Sequence, residues 1–228
     1  MTATGYFITG TDTGVGKTRV ATGLIAGFQQ LEKRVLAMKP IACGHSMHDS
    51  RNINDDVLAI AALTAQNAED IELCVYSLAE PVSPNIAAIN AGISIEIPRI
   101  TLHWQRLAAN VDIVIVEGAG GWEVPLSATQ TMADLARALE LPVILTVGLR
   151  LGCLNHALLT ARAIRQTGLP LAGWIANHLD PAMLASAANI DTLTRFLGRA
   201  PLAVLPHDTA INSSRRLLAD AARTLCNR

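Results

Sequence analysis

The stretch "YFITGTDTGVGKTRVATGLI", residues 6–25, sets the fold and poses a problem of spacing. A β-rich run leads into a glycine-rich turn, and the turn opens a helix-like sequence. In that order, backbone N–H groups and a helix N-terminus converge on a bound anion. The common phosphate-loop spelling, G-x-x-x-x-G-K-[ST], requires glycine at position 11, where Thr11 stands; Gly10 is one residue too early. A dinucleotide reading fails as well. It calls for a third glycine or alanine at position 19, which is Arg19, and for an acid after the second strand, which closes on Lys39. The phosphate-loop reading uses Gly14 and Gly16, with Val15 between them, for the turn. Lys17 then meets the terminal phosphates and Thr18 meets magnesium. Lys17 is one of three lysines in the chain, with Lys33 and Lys39.

Outward from this loop, short apolar runs alternate with helical patterns. Strands are expected at 5–10, 34–40, 112–118, 141–148, 171–177 and 200–206, and helices near 17–31 and 152–168. The strand runs are continuously apolar, as for strands covered on both faces. The alternation predicts a single-domain (1–228), three-layer α/β fold of the P-loop NTPase type with a mainly parallel sheet. Segment 40–110 exceeds a simple crossover and is expected to add helices and a substrate loop. Lys39, Glu117 and Asn177 close three strands, so they share the sheet's carboxyl edge with the loop, where open α/β folds bind ligands.

Composition narrows the function classes. Half of the 228 residues are hydrophobic, 16% are charged and the net charge is −1. A chain of this size buries roughly 70–75% of its unfolded surface. Neither nucleic acid nor an anionic membrane has an electrostatic partner here, and no apolar run approaches the ~20 residues of a membrane span. With no basic, cleavable leader at the N-terminus, a cytosolic protein is the expectation. Cys43, Cys74, Cys153 and Cys226 are too scattered for a zinc site or disulfide framework. His45 and His48 read as solvated loop residues rather than metal ligands.

"DIVIVEGAGG" (112–121) has the layout of a Walker B strand. Glu117 is placed to hold Mg²⁺, directly or through water, while Asp112 caps the far end. Gly118, Ala119, Gly120 and Gly121 leave room for a ligand beside the backbone. Lys39 either snorkels to solvent or adds a second cation beside the γ-phosphate. The second arrangement suits transfer to an anionic oxygen acceptor such as a carboxylate or carbamate. In "NINDDVLAIAAL", Asn54 or Asp55 caps a helix, and Asp55 or Asp56 completes the metal shell.

These pieces together resemble the dethiobiotin synthases. The likeness runs in order through "GTDTGVGKT" (10–18), "MKPIACG" (38–44), "AEPVSPNIAA" (79–88), "VEGAGGW" (116–122), "PVILTVGLRLGCLNHALLT" (142–160) and "GWIAN" (173–177). That family uses five residues between its first glycine and G-K-T. The resemblance implies 7,8-diaminononanoate, CO₂ and MgATP as reactants and a homodimer as the working unit. It implies Thr18, Asp56 and Glu117 as Mg²⁺ ligands, Lys17 and Lys39 as charge stabilisers, and Thr11 as a carbamate or substrate contact. Gly14, Val15, Gly16, Lys17 and Thr18 would cradle the phosphates, and Asn177 would read adenine beside Pro206, His207 and Asp208. Cys43, Ser83, Pro84 and Gly118 would line the substrate site. Leu151, Gly152, Cys153, Leu154 and Asn155 would bind the substrate carboxylate across the dimer interface.

Three positions depart from the family's pattern: Gly14 where some members have Glu, Cys43 for a frequent Ser, and Asn85 for a frequent His. None removes a metal ligand or a phosphate lysine. Two rivals share the fold class. Partition-type ATPases usually carry a lysine early in the loop, where this chain has Thr11 and Asp12. A cobyrinate-type amide synthase would need a glutaminase domain. The C-terminal "SSRRLLADAARTLCNR" reads as an ordinary surface helix rather than a membrane tail.

Overall fold

The computed structural model describes residues 4–48, 51–109, 111–207 and 211–227. Asp208, an expected nucleotide contact, lies outside the described residues. In chain order the elements are β1 (Thr4–Gly10), α1 (Lys17–Gln30), β2 (Val35–Met38), β3 (Ile41–Cys43), β4 (Ser46–His48) and β5 (Arg51–Ile53). They continue as α2 (Asp55–Thr64), β6 (Tyr76–Leu78), α3 (Pro84–Asn90), α4 (Ile97–Ala108), β7 (Ile113–Glu117) and α5 (Met132–Leu139). The chain then runs through β8 (Val143–Leu149), α6 (Cys153–Gln166), β9 (Leu171–His178), α7 (Ser186–Leu197), β10 (Ala203–Leu205) and α8 (Ile211–Cys226).

The six expected strands form one sheet in the order β10-β9-β8-β1-β7-β2, parallel at every pairing. Alternate residues feed two separate cores. Phe7, Leu145 and Val116 face the side of α3 to α7, while Ile8, Ile144 and Ile115 face α1, α2 and α8. Both faces being covered explains the unbroken apolar runs: β7 and β8 are buried along their whole lengths. Asp112 stands at the amino end of β7 and accepts the Arg34 backbone N–H at 2.8 Å, in keeping with a surface role.

Segment 40–110 holds more strand than expected. Among its described residues it carries, besides three helices, two small sheets, β3 parallel to β6 and β4 antiparallel to β5. Three-residue strands are too short to show a period, so the sequence pattern misses them. The histidine region is correspondingly tied down: His48 Nε2 lies 2.6 Å from Asp55 Oδ1, and His45 Nε2 lies 2.8 Å from Ser77 Oγ.

The C-terminal helix has a specific seat. Leu218, Ala221, Ala222 and Leu225 of α8 are buried against α1. The backbones approach closely because α1 presents Gly23 and Gly27. A Cβ on Gly27 would lie 2.9 Å from the Ala219 Cα and 3.0 Å from the Leu218 carbonyl oxygen. Among the described residues no helix is long and apolar enough to cross a membrane.

Because the atoms facing Gly27 are mainly backbone, they cannot move aside cheaply. Gly27→Val is expected to destabilise the fold by about 1–3 kcal/mol, the usual range for overpacking. Urea unfolding should show a lower midpoint at unchanged slope; an unchanged midpoint would mean that α8 yields freely.

Candidate active site

The carboxyl ends of β1, β2 and β7 open onto a cleft of about 620 Å³. Its floor is the loop between β1 and α1. Gly14 (φ 72°) and Gly16 (φ 91°) adopt the left-handed conformation there, which glycine enters without strain. Gly16 carries a second constraint, since a Cβ would collide with the Asn177 amide nitrogen. That amide donates to the Val15 carbonyl at 2.8 Å, and its oxygen accepts from Arg19 Nη1 at 2.9 Å. Arg19 also donates to the Pro206 carbonyl at 3.0 Å and to Ser214 Oγ. The ends of β9 and β10 are thereby bound to the first turn of α1.

Four side chains from distant parts of the sequence meet beyond the loop. Lys39 leaves β2 and places Nζ 2.5 Å from Glu117 Oε1 and 2.9 Å from Asp56 Oδ2. The Thr18 hydroxyl lies 2.6 Å from Asp56 Oδ1 and 2.9 Å from Glu117 Oε1, and its single proton serves one of them at a time. The Lys39 side chain is only 4% exposed, so it points inward and does not snorkel. Burial works to lower its pKa, but the Glu117 and Asp56 carboxylates more than compensate and hold it above the usual lysine value. For Asp56, burial opposes ionisation, yet the Lys39 ammonium and the Thr18 hydroxyl keep its pKa below the usual carboxylate range.

Lys17 is in the opposite condition. Burial, reinforced by repulsion from Lys39, lowers its pKa to about 8. Its Nζ donates to the Asp12 carbonyl at 3.0 Å. An arriving phosphate would stabilise its charged form.

Asn54 settles which acid faces the cleft. Its side-chain oxygen caps α2 by accepting the N–H groups of Asp56 and Val57, while its Nδ2 donates to the carbonyls of Cys43 and Gly44. Asp56 in the first turn then points at Thr18 and Lys39, and Asp55 turns away to His48.

The oxygen set suits a hard divalent cation. Among the described residues Glu117 Oε2 is buried without a hydrogen-bond partner, beside the Thr18 hydroxyl and the Asp56 carboxylate. Among the described residues no three His, Cys, Asp or Glu side chains cluster as a metal site. A cation held by Thr18, Asp56 and Glu117 would draw its remaining ligands from phosphate and water.

The other expected site residues divide. Cys43, Ser83 and Pro84 line the cleft; burial raises the Cys43 thiol pKa, against a smaller lowering by Lys39. Gly118 does not open onto it. Its N–H donates to the Ile8 carbonyl at 2.9 Å, and a Cβ would lie 3.1 Å from the Phe7 ring. The room expected there for a ligand is occupied by Phe7, while Gly120 borders the cleft instead. Thr11 lines a neighbouring hollow of about 480 Å³ with Trp122 and Leu159. Leu151 to Asn155, at the start of α6, border neither space. His207 follows β10 directly after Pro206.

Several residues that the sequence does not single out also shape the site. Arg19 entered only as an obstacle to a dinucleotide motif. Arg150, paired with Asp12 across 138 positions, had no local signal. Val124, also on the cleft wall, looks like any apolar loop residue.

A family profile described as an AAA domain matches residues 4–215. The ATP-dependent dethiobiotin synthetase BioD of Aromatoleum aromaticum is 45% identical over 202 residues, covering 89% of this chain and 90% of that protein. Its namesake from Nitrosospira multiformis is 45% identical over 204 residues, covering 90% and 88%. In three dimensions the chain is similar to the cell division ATPase MinD of Pyrococcus furiosus, with a TM-score of 0.64 at 15% identity over 100% of this chain and 99% of that one. A septum site-determining protein MinD from Pyrococcus horikoshii, complexed with Mg-ADP, gives 0.61 at 17% identity over 97% and 95%. At so low an identity these structures speak for the fold alone. The identity to the two synthetases, sustained over nine-tenths of each chain, decides the family: this chain belongs to the ATP-dependent dethiobiotin synthetases.

Proposed function

We propose that the protein is an ATP-dependent cyclo-ligase that carboxylates 7,8-diaminononanoate with CO₂ and closes the product to dethiobiotin, a step of biotin biosynthesis. One observation supports this reading most directly. Two buried lysines, Lys17 and Lys39, flank a glycine-rich phosphate loop in a cleft that also holds Thr18, Asp56 and Glu117. A second buried lysine beside the one in the loop fits an acceptor that is itself an anion.

In the proposed sequence, one substrate amine adds to CO₂ and loses a proton, giving a carbamate. The carbamate oxygen attacks the γ-phosphorus, ADP departs, and a carbamic–phosphoric anhydride remains. The second amine then attacks the carbamate carbonyl and expels inorganic phosphate as the ureido ring closes. Lys17 holds the terminal phosphates of ATP, and Lys39 sits where acceptor oxygen and γ-phosphoryl group crowd negative charge together. Mg²⁺, held by Thr18, Asp56 and Glu117, would neutralise charge on the β- and γ-phosphates. Cys43, Ser83 and Pro84 form the wall against which the diamine lies. Asn177, already fixed by Val15 and Arg19, keeps one amide N–H for the adenine. The start of α6 is assigned to the substrate carboxylate, an anion matched to a helix N-terminus. Since Leu151 to Asn155 border no part of this cleft, a second copy of the chain would have to bring them to it.

Mass spectrometry should detect dethiobiotin made from the diamine, bicarbonate and MgATP, with ATP consumed only when diamine and CO₂ are both present. Diamine-independent hydrolysis at the same rate would sink the assignment. Lys39→Met should lower kcat by ~10²-fold or more, the scale for losing a transition-state charge partner. It should also cost about 3–5 kcal/mol of stability, because Glu117 is left buried and unpaired. Adding Glu117→Gln should restore much of the stability and none of the turnover; full activity in folded Lys39→Met would remove the lysine from the chemistry.

A further inference from the structure

We propose that Arg150 is a positioning residue of the phosphate loop. It fixes and neutralises the Asp12 carboxylate so that the loop can accept a nucleoside polyphosphate. The inference rests on the nucleotide reading of the cleft and is independent of the carboxylation chemistry.

Asp12 is an acid inside a loop built to bind an anion, an arrangement that on its own repels phosphate. All of its oxygens are committed. Oδ1 accepts the Thr13 N–H at 2.7 Å, Oδ2 is paired with the Arg150 guanidinium, and the backbone carbonyl accepts from Lys17 Nζ at 3.0 Å. One residue therefore sets the turn at Thr13 and the resting position of Lys17. Arg150 is well placed to hold it, because it directly follows β8 and is itself fixed. Its carbonyl accepts the Cys153 N–H at 3.0 Å, in the first turn of α6. Both side chains are 46% exposed, so the pair adds little to overall stability. Its effect falls on the loop. With Arg150 removed, the Asp12 carboxylate loses its counter-charge and the partner of Oδ2.

Calorimetric titration with MgADP tests this. Arg150→Gln should bind about tenfold more weakly than the parent protein, the scale of one uncompensated charge near a phosphate, while its melting temperature moves little. Arg150→Lys should retain most of the affinity. Asp12→Asn keeps an acceptor for the Thr13 N–H and carries no charge, so Asp12→Asn/Arg150→Gln should recover most of what Arg150→Gln loses. Affinity of Arg150→Gln within about twofold of the parent, or a double variant as weak as the single, would overturn the proposal. A parent protein that binds no MgADP would remove the nucleotide reading beneath it, a result distinct from either.

Discussion

The Lys39 ammonium between the Glu117 and Asp56 carboxylates is the constraint around which the carboxyl edge of the sheet is organised. Glu117 is fully buried and Lys39 nearly so. A buried charge without a partner costs several kilocalories per mole, so neither could occupy its position alone. Together, with the Thr18 hydroxyl, they tie the end of β2, the first turn of α2, the end of β7 and the first turn of α1 into one network. The arrangement requires β2 beside β7, and the sheet order provides that through the register from Val35↔Ile113 to Met38↔Val116. Topology and site chemistry are thus two statements of one arrangement. Asn54 extends it by fastening the Cys43–Gly44 backbone to the helix that carries Asp56. The Cys43 wall of the cleft and the helix that carries Asp56 therefore share one anchor.

Strand–helix alternation was legible because the strands of a doubly covered parallel sheet announce themselves as continuous apolar runs. "IVIVE" is buried at every position and stood out for that reason. The turn of the loop was legible because Gly14, Gly16, Lys17 and Thr18 lie within five residues, and both glycines adopt the left-handed conformation at the head of α1. Direction was not legible. A lysine closing a strand can point to solvent or inward, and the choice depends on Glu117, which is 78 positions away. Asp55 and Asp56 are chemically alike in sequence, and the Asn54 cap separates them by fixing the phase of α2. Gly118 was misread for a related reason. A glycine reports that space is needed, but not whether a ligand or a core side chain fills it, and here Phe7 of the adjacent strand does. The two small sheets between 40 and 78 were invisible because three residues cannot display a period.

The rigidity of the loop follows from its neighbours rather than from its composition. Glycines make a left-handed turn accessible, but by themselves they also leave it free to open. Here Asn177 holds the Val15 carbonyl, Arg19 holds Asn177, and Pro206 and Ser214 hold Arg19. These bonds link the loop and the first turn of α1 to β9, to the residue after β10 and to α8. A loop held this way presents its N–H groups to phosphate without first having to be ordered, which reserves binding energy for the ligand.

The same contacts account for the spacing of "GTDTGVGKT". The ladder between β1 and β8 places Gly10 opposite Thr146, and the Thr11 N–H donates to the Thr146 carbonyl at 3.0 Å. The hydrogen-bonded strand pairing thus continues one residue past the first glycine before the chain turns. The additional residue carries that hydrogen bond ahead of the turn from Asp12 to Thr18. It also shifts Thr11 to the far side of the loop, into the hollow with Trp122 and Leu159. What reads in sequence as a misplaced glycine is, in the fold, the last residue of β1. The position that pattern matching would assign to a glycine, Thr11, continues the hydrogen bonding of β1 to β8.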